Sequence, residues 1–355
     1  MSDDIRIGLI GAGTMGMEHI LNVAALPGAR ISALADPHQP SLDQALAAIG
    51  GPVQTYSDHR SLLSSGACDA VIVATPNMTH IDVLLDVFTT ELHVLVEKPL
   101  CTTVADCRRV IAAAAEHRGV AWMGLEYRYM PPVARLIEMV DDGAVGDVRM
   151  VAIREHRFPF LTKVDDWNRF NVNTGGTLVE KCCHFFDLMN RIVGEVPTRV
   201  FASGGQDVNH LDETYDGRRS DILDNAYVIV DYPSGRRAAL DLCMFAEATH
   251  NQEEISVVGD RGKIEALLPE GVVRFGRRGE HCIGEVETVA VTDDRIAFEG
   301  HHHGSSYLEL LGFAAAIRDG SQPEVTLADG LASVAVGEAA HRSIATGQPV
   351  LIGDL

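Results

Sequence analysis

The first third of the chain alternates between short apolar runs and amphipathic stretches. The apolar runs are rich in β-branched residues: IRIGLIG (5–11), ARISALAD (29–36), DAVIVATP (69–76), HVLVEKP (93–99) and VAWMGLEY (120–127). The stretches between them predict helices at 14–26, 40–50, 58–65, 79–90 and 102–118. Continuous apolar strands separated by helices are typical of a parallel sheet that is covered on both faces. The pattern therefore predicts a doubly wound α/β domain.

The remainder of the chain has a different pattern, in which strands are paired through short turns. Residues 126–145 predict a helical connector, and a long polar stretch leads up to Gly176. The other predicted elements are a strand at 148–156, hairpins at 225–246 and 253–268, helices at 306–320 and 327–347, and a short terminal strand. We therefore predict a first domain over 1–125 and a second over 126–355.

Composition narrows the class of protein. A chain of 355 residues exceeds what one core usually serves, which agrees with two domains. The net charge of −21 argues against nucleic acid and anionic membranes as partners. No apolar run approaches the roughly 20 residues of a membrane span, and the acidic start lacks the basic region of a secretory signal.

The seven cysteines have scattered spacings and no C-x-x-C pair. The odd count and the scattered spacing predict that the cysteines are reduced thiols in a cytoplasmic protein. The same spacing argues against a structural zinc site, so no metal is predicted.

The first predicted strand ends in G-A-G-T-M-G, with Gly11, Gly13 and Gly16 at dinucleotide-binding spacing. In such a turn the first glycine permits the tight bend, the second admits a pyrophosphate and the third lets the helix pack on the strand. Asp36 closes the second strand, where a carboxylate accepts ribose hydroxyls and repels a 2′-phosphate. NAD is therefore favoured over NADP, although His38 nearby could relax that preference.

The stretch GGTLVEKCCHFFDL (175–188) combines acids, a lysine, two cysteines and a histidine. Glu180 and His184 are four residues apart, so on a helix they share a face. Metal, redox, catalytic and packing roles are all open from this spacing alone. Cys182 and Cys183 point away from each other, and packing is the favoured interpretation for them.

Several motifs together resemble the Gfo/Idh/MocA family, named after glucose–fructose oxidoreductase, inositol dehydrogenase and rhizopine catabolism. They are E-K-P (97–99), T-P-N-M-T-H (75–80), E-Y-R-Y-M-P (126–131), the glycine turn, V-G-D-R-G-K-I-E (258–265) and a stretch similar to the family's G-G-x-x-x-D-x-x-x-H helix. The resemblance implies an N-terminal Rossmann domain and a C-terminal α/β domain with a large, mostly antiparallel open sheet. It also implies a homodimer or homotetramer. Two departures stand out: Glu180 replaces the usual aspartate, and Cys182-Cys183 replace small residues.

The motifs, read with this resemblance, yield a set of candidate site residues. The candidate catalytic residues are Lys98, His184 and Glu180. The candidate cofactor-binding residues are Gly11, Ala12, Gly13, Thr14, Met15, Gly16, Asp36, Thr75, Pro76, Asn77, His80, Glu97, Lys98 and Glu126. The candidate substrate-binding residues are Lys98, Arg157, Lys163, Trp167, Asn168, Glu180 and His184. The histidines at 301–303 predict a loop, with substrate contact as an alternative and metal binding as a weaker one.

The predicted chemistry is oxidation of a secondary hydroxyl of a sugar, inositol or related polyol by NAD. Lys98, at the carboxyl end of a parallel strand, can hold the substrate oxygen as it becomes an alkoxide. His184 can accept the hydroxyl proton, because its reference pKa is near neutrality. Two alternatives remain open: an NAD-dependent glycoside hydrolase or lyase with transient oxidation, and a non-catalytic sensor of NAD or sugar.

Overall fold

The computed structural model describes residues 4–355, and the first three residues of the acidic start lie outside this range. The chain forms two compact units. The first comprises residues up to 126 together with 163–167 and 294–331, and the second comprises 127–162, 168–293 and 332–355. This discontinuous division differs from the contiguous domains that the sequence predicts.

The first unit contains a six-stranded parallel sheet with strand order β3-β2-β1-β4-β5-β6. Its strands are β1 (Ile5–Ile10), β2 (Ala29–Ala35), β3 (Gln54–Tyr56), β4 (Ala70–Val73), β5 (His93–Glu97) and β6 (Ala121–Gly124). Its connecting helices are α1 (Thr14–Ala25), α2 (Gln39–Ile49), α3 (His59–Leu63), α4 (His80–Val87) and α5 (Val104–Ala114). The prediction of a doubly wound parallel sheet is confirmed. The order reverses between β1 and β4, the position at which such sheets bind ligands.

The second unit is built on a nine-stranded sheet with order β16-β15-β14-β13-β7-β12-β11-β8-β17. Its strands are β7 (Val148–His156), β8 (Arg199–Gly205), β11 (Asn225–Asp231), β12 (Arg237–Cys243), β13 (Glu253–Gly259), β14 (Gly262–Leu268), β15 (Val272–Arg277), β16 (Glu287–Ala290) and β17 (Val350–Leu351). β9 (Thr214–Tyr215) and β10 (Arg218–Arg219) form a separate hairpin. Only the β7–β12 pair is parallel, so the predicted mostly antiparallel sheet is confirmed.

Six further α-helices lie in the described chain. They are α6 (Pro131–Asp141), α7 (Asn171–Thr174), α8 (Thr177–Glu180), α9 (Cys183–Val193), α10 (Ser305–Asp319) and α11 (Leu327–Thr346). The strongly amphipathic α9 buries its apolar residues in one core with the inward side chains of β7, β11 and β12, because alternate strand residues point to the same face. The opposite side chains stay exposed, including Phe201, Tyr227 and Ile229 at 41%, 67% and 48%.

α10 belongs to the first unit because its side chains pack there. Phe313 meets Trp122 of β6 edge to face, with ring centroids 6.3 Å apart. Arg318 donates to the carbonyls of Pro27 and Gly28, in the turn between α1 and β2. A chain that leaves a domain and returns cannot be recognised from local periodicity, which explains why the sequence assigns this helix to the C-terminal domain.

Candidate functional site

The glycine turn after β1 has the geometry that its spacing predicts. Gly11 has φ of +95°, and a Cβ atom there would lie 2.5 Å from the carbonyl oxygen of Ala74. A Cβ on Gly16 would collide with the carbonyl of Gly11. Gly13 differs, since a Cβ there would meet no atom within 4 Å. The space over Gly13 is therefore open to a ligand that approaches the backbone, such as a pyrophosphate.

This contrast separates a structural glycine from a ligand-facing one. We expect Gly11→Ala to lose at least about 2 kcal/mol of unfolding free energy, because it combines a left-handed φ with a backbone collision. Gly13 has φ of −74°, which any residue adopts, so the unfolding free energy of Gly13→Ala should lie within about 0.5 kcal/mol of the wild-type value. Its Cβ should nevertheless weaken NAD binding about tenfold or more by filling the approach. Urea unfolding and NADH fluorescence titration measure both effects, and unchanged NAD affinity in Gly13→Ala would contradict this assignment.

Asp36 lies directly after β2, with its carboxylate fixed by the backbone. Oδ2 accepts from the N–H of Ala12 at 2.7 Å, and Oδ1 accepts from the N–H of His38 at 2.8 Å. Each oxygen retains a second acceptor position, which suits a ribose diol. The imidazole Nδ1 of His38 lies 2.8 Å from the Ser41 hydroxyl. The candidate cofactor residues Ala12 to Met15 lead into α1, which begins at Thr14 and whose first turn has no side-chain cap and no acidic residue. That helix N-terminus is suited to a phosphate.

His80 supports two loops, although the sequence predicts that it contacts the cofactor. Its Nδ1 lies 2.8 Å from the carbonyl of Pro99, and its Nε2 lies 3.0 Å from the carbonyl of Thr75. The side chain is fully buried, and this burial lowers the pKa of His80. Both nitrogens are directed at backbone carbonyls, and contact of His80 with the cofactor stays a prediction. His80 ties the T-P-N-M-T-H turn to the E-K-P turn. In the first of these turns, Thr79 donates to the Thr75 hydroxyl, and Asn77 is buried with no hydrogen bond at Nδ2 among the described residues.

The E-K-P motif stands at the carboxyl end of β5. Glu97 is 4% exposed and lies 2.7 Å from Nε2 of His19 on α1. Burial alone would raise the pKa of Glu97, but the bond from His19 and the charges of Lys98 and His302 bring it below its usual value. Lys98 follows, half-buried, before a cis peptide bond to Pro99. Sequence reasoning missed His19, although its position three residues after Gly16, on the inner face of α1, is a signal that could have found it.

The histidines at 301–303 lie in the first unit, near buried acids. The N–H of His301 donates to Glu18 at 3.0 Å, while the His301 side chain itself is exposed. The two nitrogens of His302 lie 3.9 Å from carboxylate oxygens of Glu18 and Glu126. Within residues 4–355 no cluster of three or more potential ligands is arranged to hold a metal ion. The predicted loop is confirmed, and it ends where α10 begins at Ser305.

In the second unit, the stretch 175–188 forms two helices rather than the single predicted helix. Gly175 and Gly176 have φ of +80° and +88°, and a Cβ on Gly176 would collide with the His341 ring. α8 ends at Glu180, and α9 starts at Cys183 after a two-residue break. His341 stabilises the start of α8, since its Nε2 accepts from the N–H of Leu178 at 3.1 Å. Burial lowers the pKa of His341 to about 4, which keeps this nitrogen an acceptor.

Glu180 and His184 flank the break and are both nearly buried, at 6% and 2% exposure. The His184 imidazole stacks flat on the ring of Tyr127, with centroids 4.0 Å apart and planes 8° from parallel. Tyr127 was not among the predicted site residues, although it lies in the E-Y-R-Y-M-P motif directly after the candidate Glu126. Cys182 and Cys183 are fully buried, which confirms the prediction that they pack, and burial raises the pKa of Cys182 well above that of a free thiol.

A buried charge cluster lies beside this pair, and Arg157 is its one member among the predicted site residues. It consists of Glu155 on β7, Glu253 on β13, Lys181 in the helix break, and Arg157. Glu155 and Glu253 are register partners on adjacent strands. Burial, and then the charge of Glu155, raises the pKa of Glu253 to about 7.

The four predicted substrate residues of the polar stretch before Gly175 have different surroundings. Arg157 is mostly buried, donating to Glu155 at 3.3 Å and lying over the Phe158 ring. Asn168 is fully buried and donates to the carbonyl of Leu161, so its amide nitrogen is engaged internally. Lys163 and Trp167 are half-buried and belong to the first unit.

Comparison with known proteins agrees with both domains. A family model described as the oxidoreductase family's NAD-binding Rossmann fold matches residues 5–125, and one described as its C-terminal alpha/beta domain matches 137–352. A myo-inositol 2-dehydrogenase of Thermotoga maritima is 28% identical over 348 residues, covering 96% of each chain. An inositol 2-dehydrogenase of Rhizobium meliloti is 28% identical over 349 residues, covering 98% of this chain and 99% of the relative.

A solved structure shows the same fold. The crystal structure of an oxidoreductase domain protein from Kribbella flavida superposes with a TM-score of 0.88 at 23% identity, covering 99% of this chain and 100% of that one. The two family models together span nearly the whole sequence, and two of the motifs that carried the resemblance, the glycine turn and E-K-P, lie in the matched Rossmann domain. The chain is an oxidoreductase with an NAD-binding Rossmann domain, and it belongs to the Gfo/Idh/MocA family.

Proposed function

We propose that the protein is an NAD-dependent dehydrogenase that oxidises a secondary hydroxyl of a sugar, an inositol or a related polyol. The observation that carries the proposal is a nearly buried His184, stacked on Tyr127, with a nearly buried Glu180 on the other side of the break between α8 and α9. The inositol 2-dehydrogenases that align over the full chain support the substrate class. Polyols carry adjacent hydroxyls, which suit an acid, a histidine and a lysine as separate contacts.

Each candidate residue has a distinct role in this reaction. NAD, when bound, accepts the hydride from the carbinol carbon. Lys98 would hold the substrate oxygen and stabilise its negative charge as the hydride leaves. His184 would accept the hydroxyl proton, and Glu180 would bind a neighbouring hydroxyl or orient the imidazole. The half-buried surroundings of Lys98 strengthen its interaction with a developing alkoxide.

Gly11 to Gly16, Asp36 and the turn at Thr75 to Asn77 would hold the cofactor. The open space over Gly13 fits a pyrophosphate, and the fixed carboxylate of Asp36 fits an unphosphorylated ribose. We therefore propose NAD rather than NADP as the working cofactor, since Asp36 would repel a 2′-phosphate.

The test is a panel of inositols, sugars and sugar phosphates with NAD and with NADP, followed by NADH or NADPH absorbance. We expect stoichiometric NADH with at least one unphosphorylated polyol and a kcat/KM at least about tenfold lower with NADP. Release of product from a glycoside without net NADH would instead indicate a hydrolase or lyase. Cofactor binding with no turnover of any compound would indicate a sensor.

We further propose self-association through the open face of the nine-stranded sheet. Phe201 and Ile229 are direct neighbours across β8 and β11, and both are exposed. Contiguous exposed apolar side chains on a sheet face are typical of protein interfaces. A single-chain mass in multi-angle light scattering would contradict this proposal.

No helix within residues 4–355 is long and apolar enough to cross a membrane. No disulfide joins cysteines in this part of the chain, and five of the seven are buried. This agrees with a reducing compartment such as the cytoplasm, which we propose as the site of action.

A further inference from the structure

Lys181 is a buried lysine for which the proposed reaction has no role. It lies in the break between α8 and α9 and is 6% exposed. Its ammonium donates to the Tyr127 hydroxyl at 2.6 Å and lies 3.0 Å from a carboxylate oxygen of Glu155. Burial lowers the pKa of Lys181, while Glu155 opposes that change. A buried ammonium is tolerated only where such partners fix it, so its position is well defined.

Tyr127 connects this ammonium to His184. One face of the tyrosine ring carries the parallel His184 imidazole, and Phe185 meets the ring edge-on with centroids 5.7 Å apart. The adjacent Arg128 forms a two-point bond with Asp187 of α9, at 2.7 and 2.5 Å, which holds the Tyr127 backbone against the same helix. The hydroxyl is the end of the ring furthest from the backbone, and Lys181 fixes it.

We propose that Lys181 is a positioning residue for His184, acting through the phenol of Tyr127. The inference rests on the proposed function, in which His184 is the base. A general base must direct one ring nitrogen at the substrate hydroxyl within hydrogen-bond reach. Because the two rings are stacked flat, any tilt of the tyrosine ring tilts the imidazole. Small deviations of the imidazole nitrogen from the substrate hydroxyl lower the rate of the reaction. The bond from Lys181 removes that tilt.

Glu155 anchors the arrangement. It is fully buried on β7, and its Oε1 oxygen forms ion pairs with both the ammonium of Lys181 and the guanidinium of Arg157. The carboxylate of Glu253, the register partner of Glu155, also acts on the charge of the ammonium. The ammonium of Lys181 contacts two fixed acceptors, the Glu155 carboxylate and the Tyr127 hydroxyl, and these two contacts define its position. A neutral apolar side chain of the same length would make neither contact.

The direct test needs no substrate. A proton held over a tyrosine ring resonates upfield, so we expect the His184 Cε1–H signal, assigned by its absence in His184→Asn, to be upfield in the wild-type enzyme. Tyr127→Phe and Lys181→Met should each move it toward the unstacked position, and the double variant should move it no further. Unchanged signals in both single variants, or additive shifts in the double variant, would overturn the proposal.

Kinetics with the most active polyol of the panel and NAD give an independent measurement. We expect each single variant to lower kcat about tenfold, while the KM for NAD stays within about twofold of the wild-type value. The double variant should have the same kcat as the single variants. Tyr127→Phe keeps every charge and the whole ring and removes only the hydroxyl, so it remains a fair test if Lys181→Met fails to fold. In that event Lys181→Met/Glu155→Gln, which removes both charges together, replaces it.

The exposed Lys263, which pairs with Glu265 on the same strand, provides the matched control, and Lys263→Met should leave both measurements unchanged. Failure of the proposed function is distinguishable from failure of the positioning role. An active His184→Asn would refute the base itself. The other outcome is that His184→Asn is inactive while Tyr127→Phe keeps the wild-type kcat and an unmoved His184 signal. That outcome would refute only the role of Lys181.

Discussion

Lys98→Ala is expected to lower kcat by about 10²- to 10³-fold, the range observed when one donor to a developing oxyanion is removed. Lys98 follows the buried Glu97 at the end of β5, where parallel sheets present their functional groups. Loss of the ammonium would leave the alkoxide without its positive partner during hydride transfer. The measurement is steady-state NADH formation, with NAD affinity followed by fluorescence.

The NAD affinity of Lys98→Ala should stay within about threefold of the wild type, because the glycine turn and Asp36 hold the cofactor independently. Lys263→Ala is the matched control, since that side chain is 49% exposed and forms only a surface pair with Glu265. It should change kcat by less than about twofold. A loss below about tenfold in Lys98→Ala would remove the lysine from the catalytic role.

His184→Asn is expected to lower kcat at neutral pH by about 10²- to 10⁴-fold, the contribution typical of a general base. Without the imidazole, the hydroxyl proton must pass directly to solvent. The fraction of alkoxide formed in this way rises with pH, so the activity of the variant should increase steadily as pH rises. The pH profile of kcat from neutral to alkaline conditions therefore distinguishes loss of a base from a general loss of structure.

His250→Asn is the control for this substitution, because His250 is exposed. It should keep both the rate and the shape of the wild-type pH profile. Added imidazole should partly restore His184→Asn and leave the control unaffected. A His184→Asn enzyme with a flat pH profile and near-normal rate would assign proton removal to another group.

The predictable parts of the fold are those that depend on near neighbours in sequence. The buried strands of the first unit are continuous apolar runs, and their identity and parallel pairing follow from that pattern. β3 was not predicted, because its three residues are largely exposed and carry no apolar signal. Likewise, the spacing of Glu180 and His184 predicts a single helix over 175–188, whereas the folded chain breaks between them, where Lys181 is buried beside Glu155.

The candidate site residues also divide into those recognisable from near neighbours in sequence and those that depend on distant parts of the chain. Gly11, Gly13 and Gly16 were recognisable because each has a stereochemical task within one turn. His80 has a ligand-like position in its motif, yet its two nitrogens face backbone carbonyls from loops that only the folded chain brings together. His19 and Glu97 are 78 residues apart, and no local pattern links them.

By itself the sequence determined the Rossmann domain, the glycine turn with Asp36 and the family, and it singled out Glu180 and His184 as candidates by their four-residue spacing. These depend on periodicity, on turn stereochemistry and on spacing within one helical turn, all of which act over a few residues. Only the tertiary structure decided that β7 lies inside the nine-stranded sheet beside β12 and β13. It alone placed Tyr127, Lys181 and Glu155 around His184, because burial of charge and stacking of rings depend on residues that are distant along the chain.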